Sequence, residues 1–182
     1  MSKALVLIDL QNDYFPGGRM ELVGADAAAG HAASLLAAFR QRSLPVVHVQ
    51  HLAQRAGATF FLPGTPGAGI RAAVQPATGE RVVVKHFPNA FRETELLASL
   101  HELGATQLVF AGMMTHMCVD TTVRAAADLG FKCSLAHDAC ATRSLRFGTS
   151  QVSAADVQVA YLAALDGAFA SVRPAAELAA EA

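Results

Sequence analysis

The sequence predicts an α/β fold: a three-layer α/β/α sandwich around a doubly wound, mostly parallel sheet. Three observations predict it. Short runs such as Ala4–Ile8 and Leu108–Ala111 are apolar throughout, as in strands covered on both faces. Segments of helical period separate these runs, giving the order β, α, β, loop, β, α, β, α, β, α, β. Polar and reactive residues, Asp9, Lys85 and Cys118, stand just past the ends of three runs, where open α/β sheets place their sites.

Composition narrows the function classes. The 182 residues suit a single domain spanning 1–182, and the formal net charge is −1. The basic residues are scattered, so neither nucleic acid nor a membrane surface is expected as a partner. No apolar run approaches membrane-spanning length. Three cysteines with no metal-site spacing point to a reduced, cytoplasmic protein. The apolar fraction of 53%, much of it alanine, fits close helix packing or a buried interface of a homo-oligomer.

The first strand, Ala4–Ile8, ends at Asp9 and the turn residues Gln11, Asn12 and Asp13. A carboxylate there suits catalysis, or it simply bonds the backbone of the turn. Residues 27–40 read as a helix with Leu35, Leu36 and Phe39 on its apolar stripe. Pro45 opens a second strand, residues 46–50, and His51 follows. Residues 62–79, with Pro63, Pro66 and Pro76, are too broken for a long element. Phe60 and Phe61 lead into them, which suggests a lid or pocket wall. Residues 81–84 form the third strand, ended by Lys85. A turn with Phe87 and Phe91 precedes a helix carrying Leu96, Leu97, Leu100 and Leu103, with Gly104 suited to its C-terminal cap.

Leu108–Ala111 then runs into Gly112 and on through Met113, Met114, Thr115, His116 and Met117 to Cys118. Val119, Thr122, Val123 and Ala126 recur at helical spacing. Cys118 therefore falls in a first helical turn, with Thr115 as the expected N-cap. Unpaired backbone N–H groups and the helix dipole there favour the thiolate, which is the nucleophilic form. A free cysteine is equally a small buried hydrophobe, and this stretch alone supports both readings. Residues 131–136 form a fifth strand, 141–150 a loop, 154–165 a helix and 168–172 a last strand, with Pro174 opening a terminal helix.

Thiol catalysis needs a group to take the thiol proton and a positive charge for the thiolate. Asp9 and Lys85 are the candidates. Around them the sequence resembles a known family, the isochorismatase-like cysteine hydrolases. The motifs that carry the resemblance are Ala4–Asp13, Val84–Lys85 with Ala90–Phe91 and Thr94–Leu96, Gly112–Val119, and Asp138–Ala139. It implies a six-stranded sheet of order 3-2-1-4-5-6, with Asp9, Lys85 and Cys118 as the catalytic residues. It implies an oxyanion hole from the Met114 and Cys118 N–H groups and a cis Met113–Met114 peptide. It also implies attack on a small amide, ureido or lactam compound through a Cys thioester, and oligomeric assembly. Nicotinamidases of the family bind a metal through an aspartate and two histidines, but residues 50–79 here contain no Asp or Glu. No metal and no other cofactor are therefore expected. His51, Phe60, Phe61, Phe87, Phe91 and His116 are the candidate substrate-binding residues, around a small-molecule substrate. Two further readings are a vinyl-ether hydrolase, as in isochorismatase itself, and a thiol-based redox protein with Cys133 or Cys140 as the resolving thiol.

Overall fold

The computed structural model describes residues 2–182. Six strands form one sheet: β1 (Ser2–Ile8), β2 (Val46–His51), β3 (Arg81–Lys85), β4 (Ala105–Met113), β5 (Lys132–Ala141) and β8 (Ser171–Arg173). Their order is β3-β2-β1-β4-β5-β8, the expected topology, and every pairing is parallel. A separate antiparallel hairpin, β6 (Leu145–Phe147) with β7 (Ser150–Val152), lies outside that sheet. It replaces the loop expected over 141–150, because Gly148 at φ +58° lets so short a segment turn back on itself.

Side-chain alternation along β1 builds the layers. Leu5 and Leu7 face a core with α1 (Ala25–Gln41) and α5 (Ala175–Ala180), reached by Leu35, Leu36, Phe39 and Leu178. Ala4, Val6 and Ile8 face the other core, with Leu96 and Leu100 of α2 (Leu96–Glu102), Val123 and Ala126 of α3 (Asp120–Asp128), and Leu165 of α4 (Ala154–Leu165). Both faces of β1 are thus apolar, which is why its sequence does not alternate. Phe39 is fully buried, so truncating it to alanine would cost about 3–5 kcal/mol. Among the described residues no helix is long and apolar enough to cross a membrane.

The chain reverses direction across the sheet between β1 and β4, and there the backbones crowd. A Cβ on Gly112, whose φ is +141°, would lie 2.0 Å from the Ile8 carbonyl oxygen. Only glycine fits that approach. Further on, β5 bulges away from β4: Phe110 pairs with Leu135, but Gly112 pairs with Cys140. The strand expected to end at Ala136 thereby continues to Ala141. Asp138, on the bulge, accepts the Ala175 N–H at 2.8 Å and fixes the start of α5.

Residues 62–79 form a wall rather than a free lid. They contain two short 3-10 turns, Pro66–Ala68 and Ala72–Val74. The Gln11 and Gln50 side chains both donate to the Ala68 carbonyl, at 2.8 and 2.9 Å, and the Asn12 amide donates to Pro66. Asp13 accepts the Phe61 N–H at 2.6 Å. Gly67 packs against that carboxylate so closely that a Cβ would meet it at 2.2 Å.

Candidate active site

Asp9, Lys85 and Cys118 meet at the C-terminal edge of the sheet. Asp9 follows β1 with φ +51°, a left-handed conformation costing an L-residue about 1–2 kcal/mol, and Asp is among the few that tolerate it. Its N–H donates to Val49, which holds the turn to β2. Lys85 closes β3 and is fully buried. Its ammonium lies 2.8 Å from Asp9 Oδ2, 3.2 Å from Cys118 Sγ, 2.9 Å from His51 Nδ1 and 3.2 Å from the Phe87 carbonyl. Besides that ion pair the Asp9 carboxylate faces the Cys118 thiol, and no backbone N–H or other side chain is directed to it.

The carboxylate of Asp9, a ring nitrogen of His51 and Cys118 Sγ all lie within 4.8 Å of one another, a donor set with the spacing of a metal site. The ammonium of Lys85 already touches all three, so the cluster carries its own cation. Burial acts to lower the Lys85 pKa, but Asp9 and Cys118 outweigh it and hold the amine charged. Burial and then the lysine's charge push His51 down to about 4, so it stands neutral at Lys85.

Cys118 does not sit in an ordinary first helical turn. It lies in a π-type turn, Thr115–Val119, that precedes α3. Thr115 is not the N-cap: its hydroxyl is directed to the Ala141 carbonyl and Gln158 Oε1. The expected resting thiolate is also corrected. Burial and the Asp9 carboxylate push the thiol pKa up, and Lys85 offsets only part of this. The proton therefore rests on sulfur beside an acceptor, and the group titrates as a unit. The Met113–Met114 peptide is cis. The Met117 and Val119 N–H groups both donate to the Met114 carbonyl, at 3.0 and 3.2 Å, while the intervening Cys118 N–H takes no part in that pair.

The other expected residues divide. His51 joins the cluster directly. Half-buried Phe60 and His51 line a cavity of about 290 Å³ with Gln54, His86 and Pro88. Phe61 is 1% exposed and packs behind them, its ring 4.6 Å from Tyr14 and 5.8 Å from His51. It supports the wall instead of facing a ligand. Phe87 offers its carbonyl to Lys85 while Arg92 covers its ring at 3.7 Å. Phe91 is not brought to the cluster: it stacks on Phe131 at 6.4 Å. His116 is buried against Tyr161, with Nδ1 2.6 Å from the Thr142 hydroxyl.

Sequence reasoning missed Tyr14 and Gln11. Tyr14 is 1% exposed, and its phenol is pushed well up by burial, then by the nearby Cys118 and Asp9. Gln11 is fully buried and brackets His51, accepting its N–H at 2.7 Å and donating to its carbonyl at 2.9 Å. The available signal was their place directly after the first strand end, in a turn where polar residues otherwise pass as surface.

Comparison with known proteins accords with this geometry. Residues 3–176 match the Isochorismatase domain model. The chain is 47% identical to the uncharacterized isochorismatase family protein YddQ of Bacillus subtilis over 173 residues, covering 95% of this chain and 96% of that protein. It is 32% identical to the maleamate amidohydrolase of Pseudomonas putida over 145 residues, covering 71% and 67%. A crystal structure from Oleispira antarctica, described as an isochorismatase hydrolase, superposes with a TM-score of 0.95 at 50% identity, covering 98% of this chain and 96% of that one. The chain therefore belongs to the isochorismatase family, whose members are hydrolases and include amidases.

Proposed function

We propose that this protein is a cysteine hydrolase that needs no metal and cleaves the C–N bond of a small amide, ureido or lactam compound. The observation that carries this reading is Lys85 Nζ seated between Asp9 Oδ2 at 2.8 Å and Cys118 Sγ at 3.2 Å, with the carboxylate facing the thiol. The Cys118 proton passes to Asp9 as the sulfur attacks the carbonyl carbon, so charge forms only when bonding begins. Lys85 stabilises the sulfur's developing charge. The N–H groups of Met114 and Cys118 receive the oxyanion, each such donor being worth about 3–4 kcal/mol. Collapse breaks the C–N bond, and the leaving nitrogen takes the proton from Asp9. Water, deprotonated by Asp9, then attacks the thioester and releases the acid and the thiol.

A catalytic metal would have to displace the Lys85 ammonium from its three partners, and residues 50–79 supply no carboxylate to help. His51, Phe60 and Phe87 are proposed to face the substrate, and His116 to shape the site through Thr142. Three free cysteines suit a reducing compartment, which supports a cytoplasmic assignment. Phe147 at 91% exposure, on a two-stranded hairpin that is only marginal alone, supports a homo-oligomer. A monomeric mass by light scattering would reject that assembly. The function itself is tested by ammonia release from a panel of small primary amides. Wild type should release ammonia and Cys118→Ala should not; equal rates would reject the nucleophile.

A further inference from the structure

One helix face and one pocket lie uncovered at the foot of the β6–β7 hairpin. Helix α4 buries Ala154, Val157 and Leu165, while Ala155, Val159, Ala160, Ala163 and Ala164 are exposed. Its one charged residue is Asp156. A helix with a wet outer face ordinarily carries charges there, and one that is apolar all round is ordinarily covered. Beside that face is a pocket of about 320 Å³ lined by Val23, Ala27, Ala28, Cys140, Ala154 and Ala155. Val159 stands one turn beyond Ala155 on the same side of α4.

The hairpin supplies a matching projection. It leaves the pocket three residues after Thr142 and returns two residues before Ala154, both of which line it. Phe147 at its tip is exposed, so it does not fill the pocket of its own chain. A cavity of about 150 Å³ already holds benzene, so the pocket has room for this ring from another copy. Arg146, next to Phe147, is exposed and has no ion-pair partner among the described residues. On the pocket side, exposed Asp156 stands beside Ala155, and its carboxylate bonds only the Ser153 hydroxyl, at 2.6 Å. The projection is thus cationic beside its ring, and the pocket is anionic at its rim. The pocket lining, the hairpin and the outer α4 positions amount to about 25 residues, in line with the 20–30 a side of an interface burying about 800 Å² per partner.

We infer that this face is the contact between two copies of the chain, each seating its Phe147 in the other's pocket and its Arg146 against the partner's Asp156. Ring and pocket adjoin on one chain, so a single twofold rotation makes both contacts at once. The inference rests on the homo-oligomer reading and names the surface that makes it. The pocket's inner wall is also the back of the nucleophile's turn. Thr115 donates to the Ala141 carbonyl and Gln158 Oε1 at 3.2 and 2.7 Å, and His116 Nδ1 lies 2.6 Å from the Thr142 hydroxyl. Ala141, Thr142 and Gln158 all line the pocket. Filling it therefore braces Thr115–Val119, the turn that holds Cys118, from behind.

The test is mass by light scattering at micromolar concentration, with amide hydrogen exchange read over Thr115–Val119. Wild type should be a dimer or larger. Phe147→Asp should lower the mass at least twofold and speed exchange in that turn, with an unchanged circular dichroism spectrum because the side chain is exposed. Arg146→Glu should weaken association about tenfold or more by setting like charges together, and adding Asp156→Lys in the same chain should restore it. A monomeric wild type would overturn the assembly and this face together. An oligomer whose mass Phe147→Asp leaves unchanged, or a charge reversal that is not restored, would overturn this face and leave the assembly standing. A monomeric Phe147→Asp with wild-type exchange over Thr115–Val119 would overturn the bracing.

Discussion

Two clusters built from similar residues flank β2 and behave differently. At its C-terminal end, His51 joins Asp9, Lys85 and Cys118. Three residues earlier, on the opposite face, His48 joins Glu80 and Arg40. Glu80 is saturated: it takes Arg40 Nε at 2.7 Å, Arg40 Nη2 at 2.8 Å, the Ala77 N–H at 2.8 Å and His48 Nε2 at 2.8 Å. Asp9 has only the Lys85 ammonium, at 2.8 Å, and the Cys118 thiol as partners. A carboxylate whose lone pairs are all taken holds structure. One whose remaining partner is a neutral thiol is placed to move a proton.

Breaking the open cluster should have the largest effect on activity. Asp9→Asn should lower kcat by about 10²–10⁴-fold, because an amide cannot accept the thiol proton. Lys85→Ala should lose most activity for want of a cation at the sulfur, and Lys85→Arg should restore it incompletely because the planar guanidinium does not fit an ammonium's place. Steady-state kinetics with thermal melts check both variants. Wild-type rates in either would remove that residue from the site.

Breaking the saturated cluster should move stability instead. Glu80→Ala leaves buried His48 without its partner and should cost about 1–3 kcal/mol in urea unfolding, with kcat for ammonia release unchanged. A changed kcat with unchanged stability would reverse the roles of the two clusters.

The smallest effect is in pH dependence. Burial acts to raise the Glu80 carboxyl, but its bonds to Arg40, Ala77 and His48 outweigh burial and lower it from 4.5 to about 2. A depressed carboxylate contributes stability above its unfolded pKa and loses it as pH falls through the folded value. Glu80 should therefore withdraw stability between about pH 4.5 and 2. His51, lowered from 6.5 to about 4, favours its neutral folded form, so its contribution is full above 6.5 and fades as pH falls to 4. Urea midpoints against pH should show wild type losing stability from about pH 6.5 downward, and Glu80→Ala lacking the component below 4.5. Identical profiles would contradict the assignment.

The sequence made the frame readable because both faces of the central strands are covered: Leu5 and Leu7 serve one core, Ala4, Val6 and Ile8 the other. Asp9, Lys85 and Cys118 were legible because each interrupts or follows an apolar run. Less legible were features set by contacts distant in sequence. The β5 bulge depends on how Gly112 meets Cys140, and Thr115 was drawn from capping by Ala141 and Gln158. The thiol's resting protonation depends on burial and on Asp9, whereas local sequence carries only the helix-end effect. Phe60, Phe61 and Phe91 looked alike as letters, yet one lines a cavity, one packs beneath it and one stacks on Phe131.

The most direct test of Cys118 as nucleophile is rapid acid quench during turnover of a primary amide from the panel that releases ammonia, followed by intact-mass and peptide analysis. The account predicts a covalent acyl adduct on the peptide containing Cys118, formed with release of ammonia and absent from Cys118→Ala. Turnover without any such adduct, together with ammonia release retained in Cys118→Ala, would contradict it.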